Sequence, residues 1–584
     1  MTRLQTRHPT HGRAFPHGLR LAVLLLASVS ATSALAESST ELSPASPLSP
    51  IASLATEQPD ILVLMAEDLS PRIGAFGDAL ARKPNIDALA SSGVRFPNTF
   101  TAAGVCAPSR AAFITGRHQI SFGAQHMRTS SSPVATYLTV PPVELKAFPE
   151  YLRAAGYYTF TDRKLDYQFS GVWAGSGPES IWDSEGAADP FADLPDDQPF
   201  FGLINFLITH ESAAFLPEDV PAGPGRGAAE RARTARAALS ERTAPEEVVL
   251  PPYYPDEPAV RAHIADHYDN VQLMDQQVGQ ILARLDALGR LDRTLILWTT
   301  DHGDPLPRAK RELYDSGLKV PLLIRWPEGR LPEGFEAGAS DERLVSFVDL
   351  APTLLAFAGI TPADAFHGRN LFAADAAPRR YVYASRDRID AQDDRVRAVR
   401  DERYKYLRYY RPGTPGAVHL AYRDQGRIMR ALWRHAEAGT LNPVQSLWFE
   451  PRPTEALYDL EADPHELVNL VDERAQLATL TRLRTALGAW RLRVQDLSEE
   501  SEAELAERFW PGGEQPVTAP PTFKRLESGK VSISAEPGAS IEYRFGGSPW
   551  RLYQEPVPAA GDLEARAVRY GYALSRVSSL SSSP

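Results

Sequence analysis

Apolar and polar positions along the chain fall into two regimes that meet near residue 375. In the first, short continuous apolar runs alternate with helix-period segments. The run 61–66 reads as a parallel strand buried on both faces, because such strands lack the polar alternation of half-exposed ones. Its end delivers Glu67 and Asp68. Pro84-Asn85-Ile86-Asp87 opens a helix that stops at Gly93. A helix over 147–155 and a strand over 156–161 follow, and 199–209 reads as a long buried strand ending in His210 and Glu211. Residues 262–288 form an amphipathic helix in which Met274, Val278, Ile281, Leu282, Leu285 and Leu288 recur at helical spacing and face a core. Strands over 294–298 and 320–324 and a helix over 345–357 complete the alternation. This pattern predicts an α/β fold, a mostly parallel sheet covered by helices on both faces. Ligands of such sheets bind beyond the carboxyl ends of the strands, where the polar residues collect.

In the second regime, 381–410 alternates apolar and polar residues and predicts antiparallel strands, and 470–497 is a charged amphipathic helix. A Pro/Gly-rich stretch, 511–521, then leads to short strand patterns over 530–578, the mark of a small all-β module suited to carbohydrate or partner contact. The expected organisation is a signal peptide (1–36), a linker (37–57), a catalytic domain (58–375), a C-terminal subdomain (376–510), a second linker (511–527) and the β-module (528–584).

Composition sharpens this picture at three points. The 584 residues, 43% of them hydrophobic, can bury a large core in more than one domain. A formal charge of −12 with both signs interspersed argues against a nucleic-acid or anionic-membrane partner, though not against a local anion pocket. Arg13 and Arg20, the apolar stretch 21–29 and Ala34-Leu35-Ala36 read as a secretory signal cleaved after Ala36. No later apolar run is long enough to span a bilayer, so a periplasmic or secreted protein without stable membrane insertion is expected. The single cysteine, Cys106, cannot form an intramolecular disulfide. A lone thiol in an oxidising compartment is either buried or chemically used.

The sharpest chemical signal surrounds that cysteine: Cys106-Ala107-Pro108-Ser109-Arg110, continuing to Thr115-Gly116-Arg117. It resembles the sulfatase modification signature, in which the cysteine is oxidised to formylglycine by a separate generating enzyme. Ile114 stands where the family usually has Leu. The resemblance covers the chain from about residue 58 to about 500. His126-Met127-Arg128, Thr209-His210-Glu211, Leu313-Tyr314-Asp315-Ser316-Gly317 and Tyr458 to His465 are similar to a bacterial subgroup related to heparan N-sulfatases.

The resemblance implies an alkaline-phosphatase-like catalytic domain packed against a smaller antiparallel subdomain. It implies that formylglycine at position 106 acts as a geminal diol, one hydroxyl attacking sulfur and the other expelling sulfate. Arg110 would hold the diol, Lys164 and Lys310 the sulfate, and His210 would protonate the leaving alcohol. Glu67, Asp68, Asp301 and His302 match the family metal site. Glu67 stands where many relatives have Asp, and His302 where they have Asn. Calcium is the first expectation, with manganese or magnesium favoured more than usual by the imidazole. His126, Arg128 and Asp166 are candidate substrate contacts, Asp166 standing where most relatives have His. The expected reaction is hydrolysis of a sulfate ester or sulfamate on a saccharide. Asp301-His302-Gly303-Asp304 also fits relatives that cleave phosphodiesters or phosphonates, and a non-catalytic sugar-binding protein on the same fold is a third reading.

Overall fold

A seven-stranded sheet runs through the catalytic half of the computed structural model, which describes residues 58–361, 363–374, 377–559 and 561–581. The expected signal peptide and first linker lie outside these residues. In sheet order the strands are Val94–Arg95, Leu322–Arg325, Thr294–Thr300, Asp60–Ala66, Phe200–Phe206, Tyr158–Thr161 and Ser184–Glu185. Leu322–Arg325 runs antiparallel to its neighbours and the other pairings in the sheet are parallel.

The central strand Asp60–Ala66 is buried along its whole length, as a continuous apolar run requires. Alternate residues sort to opposite faces. Ile61, Val63 and Met65 pack with Phe113 and Ile114 of the helix Cys106–Thr115 and Leu350 and Leu354 of the helix Leu350–Phe357. Leu62 and Leu64 pack with Ile86 of the helix Pro84–Ser92 and Met274 and Val278 of the helix Pro258–Ala287. In that last helix Ile281 and Leu282 pack against the core and Leu285 is buried. Leu288, expected on the same face, is 36% exposed, because it caps the helix end instead of continuing it. The expected strand 199–209 stops at Phe206 and continues as a short 3-10 turn, Leu207–Thr209, which turns His210 across the sheet end.

The antiparallel subdomain orders its strands Val382–Arg386, Val396–Arg400, Tyr404–Tyr409 and Glu455–Asp459. One face packs on the helix Leu477–Val494, with Tyr383 stacked on Trp490, and the other packs against Phe100, Leu313 and Leu318 of the catalytic half. The β-module is two small sheets around Val531, Ile533, Val557, Leu563 and Ala565. The stretch read as a second linker is pinned: Thr518 is fully buried and its N–H donates to the Ala573 carbonyl. Residues Glu57–Pro584 form one compact unit. Among the described residues, no helix is long and apolar enough to cross a membrane.

Candidate active site

Strand register sets the site. Ala66 pairs with Phe206 on one side and Thr300 on the other, so three adjacent strands end at one level. The Glu67 N–H donates to the Phe206 carbonyl and the Asp301 N–H to the Ala66 carbonyl, each at 3.2 Å, carrying the pairing one step past the strand ends. Asp68 then turns sharply, at φ 46°, and its N–H donates to Asp301 Oδ1 at 3.1 Å. A carboxylate held in a left-handed conformation at a sheet end marks a position under constraint. Gly303 is equally constrained, since a side chain there would lie 2.0 Å from the Ser316 carbonyl.

Cys106 is the first residue of the helix Cys106–Thr115, whose ten residues are all buried. Its N-cap, Val105, offers no side-chain acceptor, so first-turn N–H groups remain available to an anion. The helix is fastened by Ser109, whose hydroxyl donates to the Asp301 carbonyl at 2.5 Å, and by Arg110. Arg110 ties three strand ends together, with Nε to Asp301 at 3.1 Å, Nη1 to Asn205 at 2.8 Å and Nη2 to Glu67. In this structure Arg110 is engaged by Asp301, Asn205 and Glu67 and so positions the carboxylates around Cys106.

The thiol sits 3.3 Å from His302 Nε2 and 3.9 Å from Asp68 Oδ1. Lys164 Nζ reaches Glu67 Oε2 at 2.5 Å from one side, and Lys310 Nζ reaches Asp68 Oδ2 at 2.6 Å from the other. His210 Nε2 is 3.3 Å from the Lys310 amine, and its Nδ1 pairs with the Ser212 hydroxyl at 2.9 Å. Burial alone would push the Cys106 thiol up, but Lys164, Lys310 and His302 together hold it well below the usual thiol range. Burial likewise opposes ionisation of Asp68, and Lys310, His210 and His302 outweigh it. For His302 burial favours the neutral ring, and Asp301, Asp68 and Cys106 overcome it, raising its pKa to about 10.

Donor atoms of Asp68, Cys106, Asp301 and His302 all lie within 4.8 Å of one another, and so do those of Glu67, Asp68, Cys106 and His210. The structure thus brings Asp68, Asp301 and His302 into one potential ligand set and places Glu67 at its edge, its two oxygens turned to Arg110 and Lys164. Arg128 and Asp166 form a two-pronged ion pair, both contacts 2.8 Å, with Asp166 3.7 Å from Lys164. Both ring nitrogens of His126, a candidate sulfate or diol contact, lack a hydrogen-bond partner among the described residues, and Glu502 lies 3.9 Å from Nδ1.

Residues 59–360 match the family described as Sulfatase, and 308–418 match the C-terminal region of N-sulphoglucosamine sulphohydrolase. The chain belongs to the sulfatase family. An ulvan-active sulfatase of Formosa agariphila is 37% identical to this sulfatase over 559 residues, 90% of this chain and 92% of that one. Human N-sulphoglucosamine sulphohydrolase is 26% identical, covering 74% of this chain and 90% of its own. A solved structure described in complex with its substrate D-glucosamine-2-N,6-O-disulfate superimposes with a TM-score of 0.52 at 17% identity, over 75% of this chain and 99% of that one. That likeness fixes the fold as alkaline-phosphatase-like. The sulfatase is accordingly a sulfuric ester hydrolase.

Several residues of the site escape a reading by motif. Asn205 is a lone polar residue inside an apolar strand, and Asp162 accepts from both its backbone and its side chain. Arg311 grips Glu211 with two nitrogens at 2.9 and 2.7 Å, orienting the backbone beside His210. The signal for Asn205 is present in the sequence, since a polar side chain in a fully buried strand requires a partner.

Proposed function

We propose that this sulfatase hydrolyses a sulfate ester or sulfamate on a saccharide, with formylglycine made from Cys106 as its nucleophile, in the periplasm or outside the cell. The carrying observation is the placement of Cys106 at a buried helix N-terminus between Lys164 and Lys310. In hydrated form, one hydroxyl of the modified residue would attack sulfur and the other would release sulfate. Lys164 and Lys310 lie where they can balance the charge of a sulfate seated on the helix terminus. His210, half-buried and next to Lys310, is placed to protonate the leaving oxygen, a step worth about 10²–10⁴-fold.

Two carboxylates and an imidazole converge with residue 106, and this donor set fits a hard to borderline divalent ion. Asp68, Asp301 and His302 would hold it, with Glu67 at the edge. A bound cation would polarise a sulfate oxygen and lower the pKa of the attacking hydroxyl. Calcium, manganese and magnesium all suit the oxygen donors, and the imidazole shifts the balance toward manganese. The leader-like pattern of 1–36 and the single cysteine support export, and a formylglycine-generating enzyme is the implied maturation partner. The saccharide class is supported by the named substrates of the relatives.

Mass spectrometry of the tryptic peptide containing residue 106 should show the aldehyde or its hydrate, in enzyme that releases sulfate from sulfated sugars. Full activity with an intact thiol would overturn the mechanism.

A further inference from the structure

A cleft of about 270 Å³ opens beside the reacting centre, lined by Met127, Arg128, Ser131, Pro133, Asp390 and Ala391. Val105, the residue before Cys106, packs in one cluster with Ile389 and with Met127 of the cleft lining. Its two polar walls come from different halves of the molecule, and each is wired to one of the lysines that flank Cys106.

The first wall is Arg128. Its Nε and Nη2 are committed to the two oxygens of Asp166, which in turn lies 3.7 Å from Lys164. Among the described residues no hydrogen bond engages Nη1, and the side chain is 27% exposed. The second wall is Asp390, from the turn joining the strands Val382–Arg386 and Val396–Arg400 of the antiparallel subdomain. Its carboxylate is 44% exposed and its nearest cation, Arg311 Nε, is 4.0 Å away. Arg311 follows Lys310 in the chain, and its remaining nitrogens are taken by Glu211.

Both walls are rigid. The Met127 N–H donates to the Arg388 carbonyl at 2.9 Å, and Arg388 donates back to the carbonyls of Met127, Arg128 and Asp390. Arg388 is itself buried and held by Glu502. Asp390 adopts φ 50°, a conformation glycine takes freely and other residues take at a cost, Asp less than most. Retaining a carboxylate there points to a use for it.

The chemistry of the cleft is a donor on one side, an acceptor on the other and a floor of small apolar groups, at the lower end of ligand-pocket sizes. The charge of Arg128 is matched by Asp166, so Asp390 leaves the cleft unfavourable to a further anion. We propose that this cleft binds the sugar ring carrying the scissile sulfate or its neighbour, and that Asp390 is a specificity-determining residue. It accepts hydrogen bonds from ring hydroxyls and disfavours sugars with a second anionic group at that place. This deepens the sulfated-saccharide reading and rests on it.

The test compares kcat/KM for a monosulfated disaccharide, a disulfated disaccharide and an aryl sulfate among the mature enzyme, Asp390→Asn and Asp390→Gly. A hydrogen bond to a charged group corresponds to roughly 10–100-fold. Asp390→Gly should lose about that factor on the monosulfated sugar, mainly through KM, and several-fold less on the aryl sulfate. Asp390→Asn should narrow the preference for the monosulfated over the disulfated sugar by about tenfold. Glycine suits the backbone at this position, so an unchanged or higher melting temperature for that variant separates the loss from misfolding. Equal losses on sugars and aryl sulfate, or an unaltered preference in both variants, would overturn the role of Asp390 alone. A mature parent enzyme that cleaves the aryl sulfate and no sulfated sugar would overturn the saccharide reading, and the cleft assignment with it.

Discussion

Two of the buried charge networks in this molecule differ in what they surround, and one of the two closes around the lone cysteine. Where the helix Phe148–Ala154 meets the β-module, Arg153 donates to Asp183 and Glu542 at 2.7 Å each and to the carbonyls of Ser180 and Trp550. Glu150 accepts from the hydroxyls of Ser180, Ser540 and Tyr570. Each of these groups is answered by a partner of opposite character, and none faces a nucleophile or an imidazole. At the sheet ends the charges instead crowd onto one atom, the Cys106 sulfur, from four chain segments. Burial of charge is therefore a poor guide to function by itself. Convergence on a reactive atom whose ionisation is displaced by its neighbours is the discriminating feature. The seam in turn behaves as buried ion pairs generally do, fixing which surfaces meet more than adding net stability.

The sharpest way to break this comparison is to remove one group from each network. Cys106→Ala should reduce sulfate release by at least ~10⁴-fold, as loss of a covalent nucleophile does, with little change in melting temperature. A residual rate within tenfold of the parent would erase the distinction. Arg153→Met should do the reverse: Glu542 keeps Arg566 and Asp183 keeps Thr159, so loss of their shared cation costs about 1–3 kcal/mol of stability, read by denaturant unfolding, while turnover per folded molecule stays within about threefold.

A smaller effect comes from acid. Burial would raise the Asp166 carboxyl, but Arg128 and Lys164 hold it at about 2. Because the folded value lies below the unfolded one, the unfolded chain takes up this proton first as pH falls. The contribution, about 2–3 kcal/mol, is complete above about pH 5 and is lost as pH approaches 2. Asp166→Asn should flatten the unfolding free energy across that window, and an unaltered slope would assign the acid sensitivity to other carboxylates.

How much of this was legible in the sequence follows the range of the interactions. The run 61–66 and its terminal Glu67-Asp68 are local, and the structure places them in the central strand and at its carboxyl end, beside Cys106. Lys164, His210 and Lys310, located by motif spacing, gather around Cys106. What was not legible depends on partners hundreds of residues away. Nothing local to Thr518 announces its bond to Ala573, so the Pro/Gly-rich stretch read as a tether. Nothing local to His126 announces Glu502 as its neighbour. Leu288 kept the helical spacing, but periodicity does not mark the turn at which a helix ends.

The tie between Arg110 and Asp301 spans 191 positions of sequence, and the lysine opposite lies further still. A ribosome adding roughly 5–20 residues per second therefore needs about 10–40 s after making the cysteine before its pocket can close. During that interval the thiol is accessible, and afterwards it is sealed in a fully buried helix. If Cys106 is modified as proposed, translation sets a clock on that maturation, and the modifying enzyme would have to act before it runs out. Chains stalled before residue 301 should leave Cys106 open to a thiol reagent, and chains extended well past residue 310 should protect it. Equal reactivity in both would show that folding order sets no such limit.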